Sequence, residues 1–177
     1  LYDEMIKLID AAGGADKFKG IGIGAPNGNY YTGNIEFAPN LPWKGVIPFA
    51  QLMSDKFGIP AALTNDANAA AFGEMTYGAA HGMKNFIMIT LGTGVGSGII
   101  IDGKVLYGHD GFAGELGHTT AIRENGRLCG CGKYGCLETY CSATGVARSA
   151  REILASTTKD SLLRNIPVDS ITSKDVF

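Results

Sequence analysis

Three cysteines fall within eight positions in "GRLCGCGKYGCLE", as Cys129, Cys131 and Cys136. This clustering constrains the fold more than any other feature of the chain. The spacing Cys-x-Cys-x4-Cys offers three soft thiolates, and His118 lies eleven positions upstream to supply an imidazole. Three Cys and one His form a common tetrahedral zinc set. Gly130, Gly132 and Gly135 would let the backbone wrap a small ion. The alternative is three packed cysteines, since a free Cys is often simply buried. Buried cysteines belong in apolar runs, however, and these lie in a polar, glycine-rich loop. No fourth position is left open, so the spacing predicts a structural rather than a catalytic metal. Cys141, the remaining cysteine, lies outside the pattern and reads as packing.

Composition narrows the class. Of 177 residues, 45% are apolar and 18% charged, which suits a globular domain. A formal charge of −2 carries no footprint for nucleic acid or an anionic membrane surface. No apolar run is long enough to span a bilayer, and no signal peptide is evident. The expectation is therefore a cytoplasmic protein. Gly is about twice as frequent as average, at 26 residues, which points to tight turns and backbone brought close to a ligand. The chain opens at Leu1 inside a helical pattern and stops at "SKDVF" where another helix starts. It reads as an internal part of a longer protein.

Periodicity gives an α/β order. "LYDEMIKLIDAAGG" is a helix stopped by Gly13 and Gly14, and "GIGIGAP" is a strand entering a Gly/Pro loop. "NYYTGNIEFAPNLPW" is β-rich, and "VIPFAQLMSDKFG" reads as a helix capped by Gly58. "PAALT" predicts a buried strand before the Ala-rich helix of "NDANAAAFGEMTYGAAHG". "NFIMITLGTGVGSGIIIDGKVLYG" reads as three strands, the last two joined by a "DG" hairpin turn. Thr144 is the expected cap of a helix in "GVARSAREILAS". The pattern shifts near residues 80–85, so two domains are expected, 1–84 and 85–177.

Two further motifs have chemical potential. "TLGTGVGSG" follows an apolar strand, and its amides could face a phosphate, with Thr90 and Thr93 adding hydroxyls. It lacks the Gly-Lys-Ser/Thr ending of a P-loop, and a ligand-free glycine hairpin is the plain alternative. Asn65 and Asp66 lie where a strand meets a helix, a place for ligand-facing groups and equally for caps. Glu115 and His118 in "GELGH", and Glu138 two residues past Cys136, could be turn chemistry. A bound metal would instead pin His118 near Glu138 and so organise a polar pocket.

In this order, "GTGVGSG", "GELGH" and "CGCGKYGCLE" resemble the ROK family of repressors and sugar kinases, and "NDANAAA", "GIGAPN" and "APNLPW" fit the same pattern over essentially the whole chain. Within that family the sequence looks most like the bacterial glucokinases. The resemblance implies an α/β actin-like ATPase (ribonuclease H-like) fold, present only in part, with ATP and sugar meeting between two domains. It implies Asp66 as general base toward the sugar 6-hydroxyl. Asn40, Asn65, Asp66, Glu115, His118 and Glu138 would bind the sugar, and Gly92, Thr93 and Gly94 the ATP phosphates. Ser142 to Gly145 would lie near the nucleotide. His118, Cys129, Cys131 and Cys136 would hold structural Zn2+, and Mg2+ would accompany ATP. The expected partners are glucose or a related hexose and further copies of the chain, with no nucleic acid.

One departure stands out. The family's N-terminal Asp-x-Gly-Gly-Thr phosphate motif is absent from the sequence. The expected function is ATP-dependent phosphorylation of glucose by the parent protein, with this part alone inactive. A sugar-responsive repressor is the alternative, its helix-turn-helix lying outside the chain, and a zinc-stabilised binding module is a third. The intact glycine loop and Asn-Asp pair favour the kinase.

Overall fold

The computed structural model describes residues 1–38 and 41–177. Helix α1 (Tyr2–Ala11) buries none of its residues. Its Tyr2 meets Phe57 edge to face, with ring centroids 5.9 Å apart. Strand β1 (Ile21–Gly24) pairs in parallel with β5 (Ala61–Thr64), Ile21 opposite Ala61 and Gly24 opposite Thr64. Between them come β2 (Gly28–Asn29), β3 (Asn34–Glu36) and β4 (Val46–Ile47), an antiparallel sheet in that order, and then α2 (Phe49–Phe57). The helix expected from Val46 thus begins three residues later, and Val46 and Ile47 are extended. Both are β-branched, and Pro48 disfavours helical geometry at the residue before it. Gly58 closes α2 at φ 66°, as its position predicted.

Ala25, Ile35, Ala38, Ala50 and Leu63 form the core under these strands. Strand β5 is only half-covered, with Leu63 its one buried residue among those described. Helix α3 (Asp66–Tyr77) starts directly from the end of β5 and buries Ala67, Asn68 and Ala71.

A third sheet has the order β6 (Phe86–Leu91), β7 (Val95–Ile101), β8 (Lys104–Val105). Strands β7 and β8 are antiparallel, and the turn between them places Asp102 and Gly103 both at positive φ, the geometry a "DG" hairpin demands. Helices α4 (Glu138–Cys141), α5 (Ala143–Ser156) and α6 (Ser173–Val176) follow the cysteine loop. The cap of α5 is Ser142, whose hydroxyl accepts the Gly145 N–H at 3.0 Å. Thr144, the expected cap, lies inside the first turn and donates instead to the Thr93 carbonyl at 3.0 Å. A β-region backbone one residue before the helix is what a cap needs, and Ser142 has it, at φ −68° and ψ 166°.

The chain divides into two compact units, residues 1–86 with 98–113, and 87–97 with 114–177. The chain crosses between the units three times, and β7 leaves one unit and ends in the other. No helix among the described residues is long and apolar enough to cross a membrane.

In the first unit, Gly98 lies against α3. A Cβ there would come within 2.5 Å of Ala71 Cβ and 2.9 Å of the Ala67 carbonyl. Gly98→Ala should therefore destabilise the protein by about 1–3 kcal/mol, through overpacking against backbone. Gly92→Ala, where a Cβ meets nothing within 4 Å, should be near neutral. Thermal unfolding of the two variants checks this, and equal melting temperatures would remove the packing role.

Candidate functional site

In the second unit the cysteine loop folds back on itself. Bridges form between Thr120 and Cys136 and between Leu128 and Tyr134, and the Gly135 carbonyl accepts from Ala121 and Ile122. This brings one ligand atom from each of His118, Cys129, Cys131 and Cys136 within 4.8 Å of one another. Cys129 Sγ lies 3.5 Å from His118 Nδ1, and Cys131 Sγ lies 3.7 Å from Cys136 Sγ. A tetrahedron with ordinary Zn–S and Zn–N bonds has edges of about 3.5–3.8 Å, so these two edges suit Zn2+, and the donor set fits it once the longer separations close. Cys141, half-buried at the end of α4, is not among the donors.

Burial pushes the Cys129 thiol up to about 12, with its hydrogen bond to the Cys131 backbone working against the rise. Burial likewise raises Cys136, while the Lys133 backbone N–H lowers the exposed Cys131. A metal entering the loop must therefore displace protons, as thiolate ligation generally requires.

The "GELGH" turn is held against β7. Gly117 allows this, because a Cβ there would meet Val95 Cβ at 3.1 Å and its carbonyl oxygen closer still. Buried Ser97 donates to the Gly114 carbonyl and accepts the Leu116 N–H at 3.4 Å. The turn carries His118 and Glu115, whose Oε2 lies 4.0 Å from His118 Nε2. The ring thus faces the thiols with Nδ1 and a carboxylate with Nε2. Glu138 completes the group. Its Oε1 accepts from Cys129 Sγ at 2.9 Å and lies 3.7 Å from His118 Nδ1. Its Oε2 accepts the Val95 N–H at 3.4 Å and fills the space a Cβ on Gly94 would need. Glu115, His118, Glu138 and the glycine loop, separate expectations in the sequence, therefore form one polar assembly in this unit.

The glycine loop is also tied to α5. The Ala143 N–H donates to the Gly92 carbonyl at 2.9 Å, beside the Thr144 bond to Thr93. A cavity of about 360 Å3 opens here, lined by Thr93, Glu138, Ser142, Thr144, Gly145 and Arg148 among others.

In the first unit, Asn65 caps α3, with Oδ1 accepting the Asn68 N–H at 2.8 Å. The capping expectation therefore holds for Asn65. Asp66 is exposed on the first turn, where the helix dipole favours its carboxylate, and Oδ1 accepts the Ala67 N–H at 2.9 Å. It stands at the C-terminal end of the parallel strands, where open α/β sheets place ligand-facing groups. Asn40 lies outside the described residues.

A model of the ROK family matches residues 1–176. The chain belongs to the ROK family. It is 46% identical over 160 residues to a glucokinase of Halalkalibacterium halodurans, which covers 89% of this chain and 48% of that protein. It is 37% identical to a xylose repressor of Caldicellulosiruptor bescii, over 100% of this chain and 44% of the relative. The structure of a ROK family glucokinase from Streptomyces griseus, in complex with glucose and AMPPNP, superposes with a TM-score of 0.76 at 36% identity, covering 99% of this chain and 57% of that one. The fold is thus that of the ROK sugar kinases, an actin-like ATPase fold. The chain spans about half the length of the curated relatives it matches.

Sequence reasoning missed Arg127 and Ser97, and it placed Ser142 near the nucleotide without reading it as the cap of α5. Arg127 is nine-tenths buried and hydrogen-bonded to four groups of α4 and α5. An Arg two residues before the first cysteine of a glycine-rich loop was its one visible signal. The exposed thiol of Cys131 allows a clean test of the donor set. Cys131→Ser should purify with less than one zinc per chain, whereas Cys141→Ser should match the parent chain, as measured by elemental analysis. One zinc per chain in Cys131→Ser would remove Cys131 from the set.

Proposed function

We propose that this chain carries the sugar-binding and phosphate-binding machinery of an ATP-dependent hexose kinase, acting on glucose at the 6-hydroxyl. The observation that carries this reading is the exposed Asp66 carboxylate, fixed on the first turn of α3 behind the Asn65 cap. A sugar sensor needs a pocket, whereas a kinase needs a base in addition, and the Asp66 carboxylate at the strand–helix junction is assigned to that role. The likeness to a glucokinase at 46% identity supports the same reading.

In the proposed reaction Asp66 takes the proton from the 6-hydroxyl as its oxygen attacks the γ-phosphorus of ATP. The new O–P bond forms as the bond to the β-phosphate oxygen breaks, and ADP leaves. Gly92, Thr93 and Gly94 would contact the phosphates, and the cavity beside them would take part of the nucleotide. Such transfer depends chiefly on positioning and charge stabilisation, and Mg2+ accompanying ATP supplies neutralisation of the phosphate charge. Asn65, Glu115, His118 and Glu138 are assigned to the sugar hydroxyls, with Asn40 a further contact. His118, Cys129, Cys131 and Cys136 would hold Zn2+, whose part is to fix the loop. Ligation through Nδ1 would fix the tautomer that Nε2 presents to a hydroxyl.

The xylose repressor match over the whole chain supports a second reading, a sugar-responsive regulator. Turnover separates the two. In the full-length protein with ATP and Mg2+, ADP release should depend on sugar and be fastest with glucose, against N-acetylmannosamine, N-acetylglucosamine, fructose and no sugar. Asp66→Asn should lower that rate by roughly 10²-fold or more while glucose still binds. Absence of sugar-dependent ADP from folded, zinc-loaded protein would shift the function to the regulator. Near-normal turnover in Asp66→Asn would remove the base assignment.

A further inference from the structure

Two routes connect the cysteine loop to the glycine loop inside the second unit. The first is Glu138, with one carboxylate oxygen on Cys129 and the other on the Val95 amide, against Gly94. The second starts at Arg127, two residues before Cys129. Its Nη1 donates to the Thr139 carbonyl at 2.5 Å and the Gly145 carbonyl at 3.3 Å. Its Nη2 donates to Ser149 Oγ at 2.9 Å and Glu152 Oε2 at 2.6 Å. The guanidinium also lies 4.6 Å from the Tyr140 ring centroid, and the Tyr140 hydroxyl accepts the Arg127 N–H at 2.9 Å. One limb of the cysteine loop is thereby locked to α4 and α5. The first turn of α5 then holds the glycine loop, through the Ala143 and Thr144 bonds to Gly92 and Thr93.

The glycine loop has little packing of its own, and a Cβ on Gly92 would meet nothing within 4 Å. Beyond the Gly92 N–H bond to the Gly94 carbonyl at 3.0 Å, its shape depends on the neighbours that bond to it, and those neighbours are seated by the cysteine loop. Without a metal the backbone bridges of that loop remain, but its donor atoms meet one another only through thiol contacts, which are weak hydrogen bonds. Ordering it with a metal should order Arg127, and through α5 the segment from Gly92 to Gly94. Arg127 provides no metal ligand and lines no part of the proposed pocket. A planar fork with four acceptors around it is a task a Lys ammonium does not reproduce.

We propose that metal occupancy of the cysteine loop and affinity for nucleotide phosphates are coupled, with Arg127 as the positioning residue that carries the coupling. The proposal rests on the reading of Gly92 to Gly94 as the phosphate cradle. Coupling between two binding events is reciprocal, so each ligand must change the affinity for the other by the same factor.

Direct binding measurements on the full-length protein test this without turnover. The dissociation constant of MgADP, by calorimetry, should rise about tenfold when zinc is removed with a chelator from protein that stays folded by circular dichroism. Zinc affinity, by competition with a chromophoric chelator, should rise by the same factor at saturating MgADP. Arg127→Met should still load one zinc per chain, yet shrink the factor below about twofold. Should that variant fail to fold, Arg127→Lys keeps the charge and loses the fork, and its factor should likewise shrink. Equal MgADP affinity in loaded and stripped protein would overturn the coupling while leaving the kinase reading intact. An undiminished factor in a zinc-loaded Arg127 variant would overturn the role of Arg127. Failure to bind MgADP in either state would overturn the phosphate-cradle reading, and this inference with it.

Discussion

Three thiols and an imidazole within 4.8 Å of one another form the constraint on which the second unit depends. Apolar packing does not hold such a group together in a loop where Cys131, Gly132, Lys133 and Tyr134 are exposed. Its own backbone bridges shape the loop, and a divalent ion matched to those four donors would close it. Burial works against ionising Cys129 and Cys136, and a bound cation reverses that preference by its own charge. Glu115, His118 and Glu138 are each positioned within or directly against this knot.

In the first unit the organising feature is the junction of β5 and α3. The parallel pairing with β1 fixes where β5 ends, and the Asn65 cap fixes where α3 begins. Asp66 inherits its position from both. Gly98 lets the end of β7 pack against α3, so the last glycine of "GTGVGSG" has a packing role. Gly94, earlier in the same run, makes room for Glu138. One glycine-rich stretch thus meets steric demands in both units, which a phosphate reading alone does not explain.

Much of the arrangement was legible beforehand because it is local. Helix α3, the Gly58 cap, the "DG" hairpin and the Cys-x-Cys-x4-Cys spacing all express short-range chemistry, and each appears in the structure. Failures came where two local signals competed. Val46 and Ile47 fit an apolar helix pattern, but β-branching and Pro48 made them a strand. Ser142 and Thr144 are both hydroxyl residues near a helix start, and only backbone geometry chose between them.

The sequence by itself determined the order of elements and singled out the candidate metal donors, through periodicity and spacing along the chain, and its motifs carried the resemblance to the family. Only the tertiary structure decided that Arg127 seats α5, that Glu138 divides its two oxygens between the cysteine loop and the glycine loop, and that β7 is shared by two units. Those contacts join residues that are 9 to 43 positions apart, and no local pattern marks which of many polar side chains will meet once the core has closed.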